Sequence, residues 1–338
     1  MGAWAQAATC DGTSQNLSIF DAASPNAHSI VDLAVLTLFI VGLIFLVVEG
    51  ILFYSIWRFR QRSSDPAGEP PQVYGSQPVE VAWTAAPTMI VFFLVLVTAR
   101  TLWEVLPTPP QPRVGDNAVF VRVIGHQWWW EYVYESYNGQ PMSIITAGEL
   151  HMPVSEDGTP RPVHLTLQSA DVCHSFWVPR LGGKMDLIPG RTNHLVLQTD
   201  EAGLHLGQCA EYCGTQHAGM LIRVIAESPD DFQTWLDEQV KPAAEDPTVA
   251  AGKRAFLSQT CVSCHCIRGT PAAGNYAPDL THLMSRRTLA SGVITNTPAH
   301  LADWVHDPQT IKPGCLMPAF GLAVPDQDLI VSYLLTLE

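Results

Sequence analysis

Two long apolar stretches constrain this chain more than any other feature. Leu33 to Val48 is apolar apart from Thr37 and Gly42, and the apolar character resumes from Ile51 to Trp57. The second stretch, Val81 to Trp103, is broken only by Thr84, Pro87, Thr88, Thr98, Arg100 and Thr101. Trp83 and Trp103 stand twenty positions apart. At about 1.5 Å per helical residue they are separated by roughly 30 Å, the thickness of a bilayer core. Tryptophans at both ends suit the two membrane interfaces. The sequence therefore predicts two transmembrane helices, which explains why 47% of the chain is apolar. Its 338 residues leave room for two or three domains in all.

Residues 1–57 contain no Lys or Arg, and the connection between the spans opens with Trp57-Arg58-Phe-Arg60-Gln-Arg62. The positive-inside rule makes that connection cytoplasmic. The N-terminus and everything after residue 106 are then expected on the outer face. Residues 1–27 lack a basic start followed by an apolar run, so the numbering is expected to begin at or near a processed N-terminus. Cys10 is a weak candidate for lipid attachment, because the residues before it fit a lipobox poorly.

The segment Cys209-Ala-Glu211-Tyr-Cys213-Gly-Thr-Gln-His217-Ala-Gly-Met220 packs two thiols, an imidazole and a thioether into twelve residues. Soft ligands of this kind select copper, zinc or iron–sulfur clusters. Cys-x3-Cys-x3-His alone suits a structural zinc site as well as copper. Met220 favours copper, since a thioether is a poor zinc ligand. His174, in Asp-Val-Cys-His-Ser-Phe-Trp, offers a second imidazole. Two thiolates can bridge two coppers that share one electron, an arrangement suited to electron transfer.

On these residues the chain resembles subunit II of haem–copper cytochrome c oxidases. The resemblance implies that Cys209 and Cys213 bridge a dinuclear copper centre, copper A. It implies that His174 and His217 each cap one copper, that Met220 is a weak axial ligand, and that Glu211 offers its backbone carbonyl. It also implies that the Glu211 side chain faces a magnesium or manganese site near the partner subunit.

Further on, Cys261-Val-Ser-Cys264-His265 has the spacing for covalent attachment of a c-type haem, with His265 under the iron. A zinc knuckle or a redox dithiol is the alternative, but no second Cys pair is present for a zinc ribbon. Downstream, Met317 sits in the Pro-bounded loop Pro313-Gly-Cys-Leu-Met-Pro. His/Met ligation raises the haem potential. Met284 competes for the sixth position, and Met317 is preferred because it precedes a last predicted helix. With both motifs in one chain, the resemblance narrows to the caa3 type, in which a cytochrome c domain is fused to the C-terminus of subunit II. Haem attachment needs an oxidising compartment, in agreement with the expected outer location. A bacterial inner membrane is the expected setting.

Between the motifs, Val119–Ile124, Glu131–Tyr134, Val163–Leu167, His194–Leu197 and Met220–Ile225 read as strands. Their spacing suggests an all-β Greek-key domain of the cupredoxin class, with the copper ligands on loops at one end. Pro107-Thr-Pro-Pro-Gln-Pro112 reads as a stiff exit from the membrane. Residues 231–240 read as a short helix and 242–247 as a linker. Helices over 248–260, 298–306 and 325–337 give an all-α class I cytochrome c domain. The expected division is thus an outer segment 1–27, a transmembrane hairpin 28–106, a copper domain 107–242 and a cytochrome c domain 243–338.

Three further features carry expectations. In His126-Gln-Trp128-Trp129-Trp130 an aromatic run is ordinarily core, but the resemblance makes Trp128 the point where electrons enter. Trp129 stands where the family often has Tyr. Glu80, just before the second span, is implied to mark the mouth of the K proton pathway into the catalytic subunit. Cys266 and Cys315 depart from the usual family pattern, and a disulfide between them is expected, whereas Cys173 is expected to pack in the core.

The net charge is −14, and residues 107–242 carry 16 acidic against 8 basic residues. That balance disfavours nucleic-acid binding and suits either a solvated surface or the steering of a basic donor. The chain shows no site for substrate bond chemistry. The resemblance implies an electron-input subunit: electrons pass from cytochrome c or another membrane-associated donor through haem c and copper A to haem a of subunit I, alongside other oxidase subunits. Subunit I would reduce oxygen and pump protons. The alternatives are the copper A subunit of a nitric oxide reductase, or a copper delivery protein, which the haem motif disfavours.

Overall fold

The computed structural model describes residues 17–62, 68, 72, 74–106 and 117–338. Cys10 and the Pro107–Pro112 exit lie outside the described residues. The chain clusters into two compact units, one of His28–Leu106 and one of the remainder.

The first unit contains two long helices, α1 (Pro25–Arg58, beginning just before the unit boundary) and α2 (Gln77–Val105). Both are long and apolar enough to cross a membrane, and their most apolar windows are wholly unburied. Large side chains such as Phe39, Phe45, Phe92 and Trp103 are exposed, as suits surfaces that meet lipid. Three hydroxyls inside these spans bond the carbonyl one turn back: Thr37 to Leu33, Thr84 to Glu80 and Thr88 to Thr84. Such bonds leave fewer polar atoms to be solvated in hydrocarbon.

The second unit begins with a ten-stranded sandwich. Its strands are β1 (Val119–His126), β2 (Trp129–Tyr137), β3 (Gln140–Ala147), β4 (Glu149–Pro153) and β5 (Val163–Ser169). They continue as β6 (His174–Trp177), β7 (Met185–Leu187), β8 (Asn193–Leu197), β9 (Gly203–Cys209) and β10 (Leu221–Glu227). One sheet has the order β3-β2-β1-β5-β8 and the other β4-β10-β9-β6-β7. Strands β1 and β5 run parallel, as do β4 and β10, while their other neighbours are antiparallel. Trp130, Tyr132 and Tyr134 project from β2 at period two and are fully buried, meeting Phe176, Leu165 and Val224 in one core. Helix α3 (Pro229–Gln239) closes one end, with Phe232 packed edge-on to Tyr137. Its start is set by Ser228, whose hydroxyl accepts the Asp231 N–H. The segment before α1 also joins this unit: the Ala23 N–H donates to Arg180 O, and Thr199 Oγ1 to Ala23 O.

A helical domain follows, with α4 (Ala250–Ser258), α5 (Cys261–Cys264), the hairpin strands β11 (Thr288–Leu289) and β12 (Ile294–Thr295), α6 (Pro298–His306), α7 (Pro308–Ile311) and α8 (Val324–Leu334). Helices α4 and α8 pack closely at Gly252, where any Cβ would lie 2.1 Å from Leu329 O. Phe256, Leu301, Ile330 and Leu334 form the core.

The helical domain is bonded to the sandwich by buried polar groups. Glu149, on β4, accepts the Arg287 N–H at 3.0 Å and the Thr288 hydroxyl at 2.6 Å. Arg223, on β10, donates to Gly292 O at 2.8 Å.

Two cysteine expectations are corrected. Cys266 and Cys315 are both free thiols. Cys315 lines the large cavity of the helical domain and accepts a hydrogen bond from Gln309, whereas Cys266 turns toward Asp279. Cys173 is exposed rather than core, because it lies in the exposed turn Asp171–Cys173 and the buried strand β6 begins only at His174.

Candidate metal and haem centres

The β9–β10 connection supplies most of the first site. Cys209 ends β9, and the loop to β10 carries Glu211, Cys213, His217 and Met220. Hydrogen bonds from the Cys209 N–H to Met220 O and from the Met220 N–H to His217 O fold that loop back on itself. The sulfurs of Cys209 and Cys213 are 3.8 Å apart, too far for a disulfide. Cys213 Sγ lies 3.9 Å from Met220 Sδ and 3.7 Å from His217 Nδ1. Cys209 Sγ lies 3.2 Å from Glu211 O.

His174 reaches this cluster from β6. Its donor atom and the two sulfurs lie within 4.8 Å of one another, and these three residues are the one group of three or more such side chains found among the described residues. The ring is fully buried, and its Nε2 is 2.8 Å from Asp171 Oδ1. That leaves Nδ1 buried with no hydrogen-bond partner, facing the sulfurs. An orphaned imidazole nitrogen beside two thiols is what a metal ligand looks like without its metal. Gly125 makes the ring position possible, since any Cβ there would lie 2.9 Å from His174 Cδ2.

The electrostatics agree. Cys209 is drawn down to about 3, chiefly by its contact with the Cys213 thiol, and Cys213 is pushed up by the same contact. Burial lowers His174, but its hydrogen bond with Asp171 and the nearby Cys209 sulfur carry it above its ordinary value. Two sulfurs, two imidazoles, a thioether and a carbonyl suit copper better than zinc.

The second site is one continuous cavity in the helical domain, walled largely by apolar side chains such as Leu283, Leu301, Val305 and Leu334. Cys261, Cys264, His265 and Met317 all line it. The His265 Nδ1–H donates to Pro278 O at 2.7 Å, so its Nε2 is free for a metal. Burial pushes this histidine below its ordinary value and keeps the ring neutral, the ligating form. Met284 does not line the cavity; it packs against the core, with its N–H on Leu337 O. The residues therefore fit a haem that two cysteines would attach and a histidine and a methionine would ligate.

Trp128 lies between the two sites. It is 9% exposed and lines the haem cavity, and its indole N–H donates to Cys213 O at 2.9 Å. Gln127 Nε2 donates to the same carbonyl at 2.8 Å. Trp129 stacks on His126 with ring centroids 4.2 Å apart. Glu211 is exposed on the copper loop, beside Tyr212. Glu80 is exposed in the first turn of α2, where its carboxylate accepts the Ser76 N–H at 3.1 Å.

Several participants were not anticipated. Asp171 has a readable signal, an acid three residues before the candidate ligand His174. Gln127, Pro278, Arg286 and Lys312 act through backbone carbonyls or a cavity wall that only the fold brings together.

Three family models cover most of the chain: the periplasmic domain of cytochrome c oxidase subunit II over residues 119–227, the transmembrane domain of that subunit over 12–100, and cytochrome c over 249–338. Cytochrome c oxidase subunit 2 of Alkalihalophilus pseudofirmus is 35% identical over 96% of this chain and 92% of its own length. The chain belongs to the cytochrome c oxidase subunit II family. Subunit 2 of Bacillus subtilis is 34% identical over 88% of this chain and 85% of its own, and that of Bacillus sp. strain PS3 is 32% identical over 83% and 80%. Two membrane helices, a cupredoxin-like sandwich and a C-terminal cytochrome c domain make this an oxidase subunit II of the fused, caa3-like arrangement. The copper domain implies copper A and the cytochrome domain implies haem c.

Proposed function

We propose that this subunit carries electrons from a donor, through haem c and then copper A, to haem a of subunit I, for oxygen reduction coupled to proton pumping. The observation that carries this reading is the position of Trp128, which lines the haem cavity and hydrogen-bonds the Cys213 carbonyl. When bound, each centre supplies reversible one-electron chemistry. The chain's part is to hold, orient and insulate.

In this reading Cys209, Cys213, His174, His217, Met220 and the Glu211 carbonyl hold two coppers. Asp171 fixes the tautomer of His174 and so directs Nδ1 at the metal. Cys261 and Cys264 would hold the haem covalently, and His265 and Met317 would supply the protein's ligands to its iron. The Pro278 carbonyl orients His265 as Asp171 orients His174. Arg286 lines the same cavity, and its Nε has no hydrogen-bond partner, which suits a haem propionate. Trp128 serves as an internal relay rather than a landing site for an external cytochrome, since it is buried against the fused domain.

Cytochrome c or another membrane-associated protein is then expected to deliver electrons to haem c. The exposed Glu211 carboxylate would serve a magnesium or manganese ion at the boundary with subunit I. Glu80 would mark the mouth of the K proton pathway. The basic residues Arg58, Arg60 and Arg62 support a cytoplasmic connection between the helices, with both redox domains outside. We divide the chain functionally at residues 27, 106 and 242. The relatives are named as oxidases, which favours this reading over a nitric oxide reductase.

The EPR spectrum of the oxidised full-length chain tests the proposal. One electron shared by two equivalent coppers is expected to give about seven hyperfine lines, and a single copper about four. A four-line spectrum from fully loaded protein would overturn the dinuclear assignment.

A further inference from the structure

The chain has four lysines, and Lys312 alone among them is buried, at 3% exposure. It follows α7 and precedes the Met317 loop. A lysine ammonium has three N–H donors and no acceptor. Here each donor meets a backbone carbonyl from a different segment. Nζ lies 2.7 Å from Trp128 O, 2.8 Å from Gly219 O and 2.9 Å from Ala290 O.

Those carbonyls are not arbitrary. Trp128 is the side chain between the two centres. Gly219 immediately precedes the ligand Met220. Ala290 is at the tip of the β11–β12 hairpin, in the left-handed region with φ +54°. The same tip takes the Leu221 N–H on Ser291 O and the Arg223 guanidinium on Gly292 O. One ammonium therefore joins the indole strap, the copper loop and the haem domain. Its aliphatic stem lines the haem cavity.

No carboxylate bonds to this ammonium. A buried charge without a counter-ion is costly, and burial lowers the Lys312 ammonium to about 8 although three carbonyls hold it. Global stability is therefore a poor reason for a lysine at this point. A fixed cation between two centres has a different consequence. Each centre gains one negative charge on reduction, so a nearby positive charge favours the reduced state of both.

We infer that Lys312 is a positioning residue that fastens the haem cavity to the copper-ligand loop and, as a fixed cation between them, raises the reduction potentials of both centres. This rests on the reading that the two sites hold haem c and copper A.

The test is an equilibrium redox titration of the full-length subunit within its oxidase, comparing wild type with Lys312→Met. Haem content and the copper EPR spectrum are recorded on the same samples. With both cofactors present, the substitution is expected to lower both potentials and to slow electron transfer from haem to copper. Unchanged potentials with both cofactors present would overturn the role of Lys312 and leave the functional reading intact. Loss of that reading would instead show in wild type, as missing haem or a single-copper spectrum.

Reductive methylation of the unsubstituted oxidase gives a readout that needs no variant. The exposed Lys184 and Lys241 are expected to be methylated while Lys312 stays unmodified. Methylation of Lys312 at the rate of those two would also overturn the inference.

Discussion

The indole N–H of Trp128 donates to the carbonyl oxygen of Cys213 at 2.9 Å, so a residue of the haem cavity wall bonds directly to a residue proposed to ligate copper. The rest of the indole packs into the sandwich core. Trp128→Phe keeps an aromatic ring, smaller than the indole, and removes the donor. Gln127 still satisfies the Cys213 carbonyl, so the copper loop is expected to keep its shape. Copper content and the EPR spectrum should match wild type, while the haem-to-copper rate measured by flash photolysis falls, because the N–H contact from the cavity wall to the Cys213 carbonyl is lost. An unchanged rate would remove Trp128 from the path.

Asp171 acts on the copper centre through His174. Its Oδ1 takes Nε2 of that ring at 2.8 Å, and its other oxygen accepts the Gln127 N–H. Carboxylates behind ligand histidines typically contribute about 10–100-fold in metal affinity. Asp171→Ala is therefore expected to weaken copper binding by about that factor in a chelator competition assay. Haem attachment, in the other domain, should be unaffected. Equal copper affinity in variant and wild type would show that burial alone fixes the ring.

The two candidate methionines separate cleanly. Met317 lines the haem cavity, and Met284 packs outside it with its N–H on Leu337 O. A Met axial ligand raises haem potential. Met317→Ala is expected to lower the potential and change the ligand-sensitive optical spectrum. Met284→Ala should leave both unchanged and lower thermal stability, since truncating a partly buried Met costs up to about 2 kcal/mol. The opposite pattern would exchange the two assignments.

Arg286 gives a further handle on the haem. Burial holds its guanidinium below the ordinary arginine value, although Asp279 and Glu149 partly offset that. Its Nη2 donates to the Asp279 carbonyl, and Nε has no partner. Arg286→Gln is expected to lower the haem potential with covalent haem retained, which a redox titration beside a haem stain would check. A potential equal to wild type would mean that the propionates are met elsewhere.

Much of this molecule was legible because its chemistry is written in local patterns. The apolar run from Val81 to Trp103 matches α2, and residues 298–306 were read as the helix that is observed. The copper loop was readable because Cys209, Cys213, His217 and Met220 lie within twelve residues. Only five of the sandwich's ten strands were read, because β6 and β7 are four and three residues long and β4 is buried throughout without alternation. The contacts of Lys312 with Trp128, Gly219 and Ala290 join segments as far as 184 residues apart, and no pattern in the sequence announces them. The expected Cys266–Cys315 disulfide is absent because placement beside His265 and Met317 in the sequence does not bring the two thiols together in the fold. One thiol faces the cavity and the other turns toward Asp279.

His205 supplies a pH dependence that is independent of either cofactor. It is 1% exposed on β9, with Nε2 bonded to Glu201 O at 3.0 Å and Nδ1 facing an Arg180 guanidinium N–H at 3.2 Å. Nδ1 accepts from the arginine, so the ring is neutral. Burial first, and Arg180 with it, hold the ring below its ordinary value of 6.5, although Glu201 and Asp21 partly oppose this. Below that ordinary value the unfolded chain takes up a proton that the folded chain refuses. The stabilisation is thus complete above pH 6.5 and declines as the pH falls toward the lowered folded value, by at most about 1.4 kcal/mol per pH unit. Thermal unfolding of the sandwich is expected to show a lower midpoint at pH 5.5 than at 7.5. His205→Gln, which keeps a donor for Glu201 O and cannot titrate, should flatten that difference. An equally steep dependence in the variant would assign the acid sensitivity to another group.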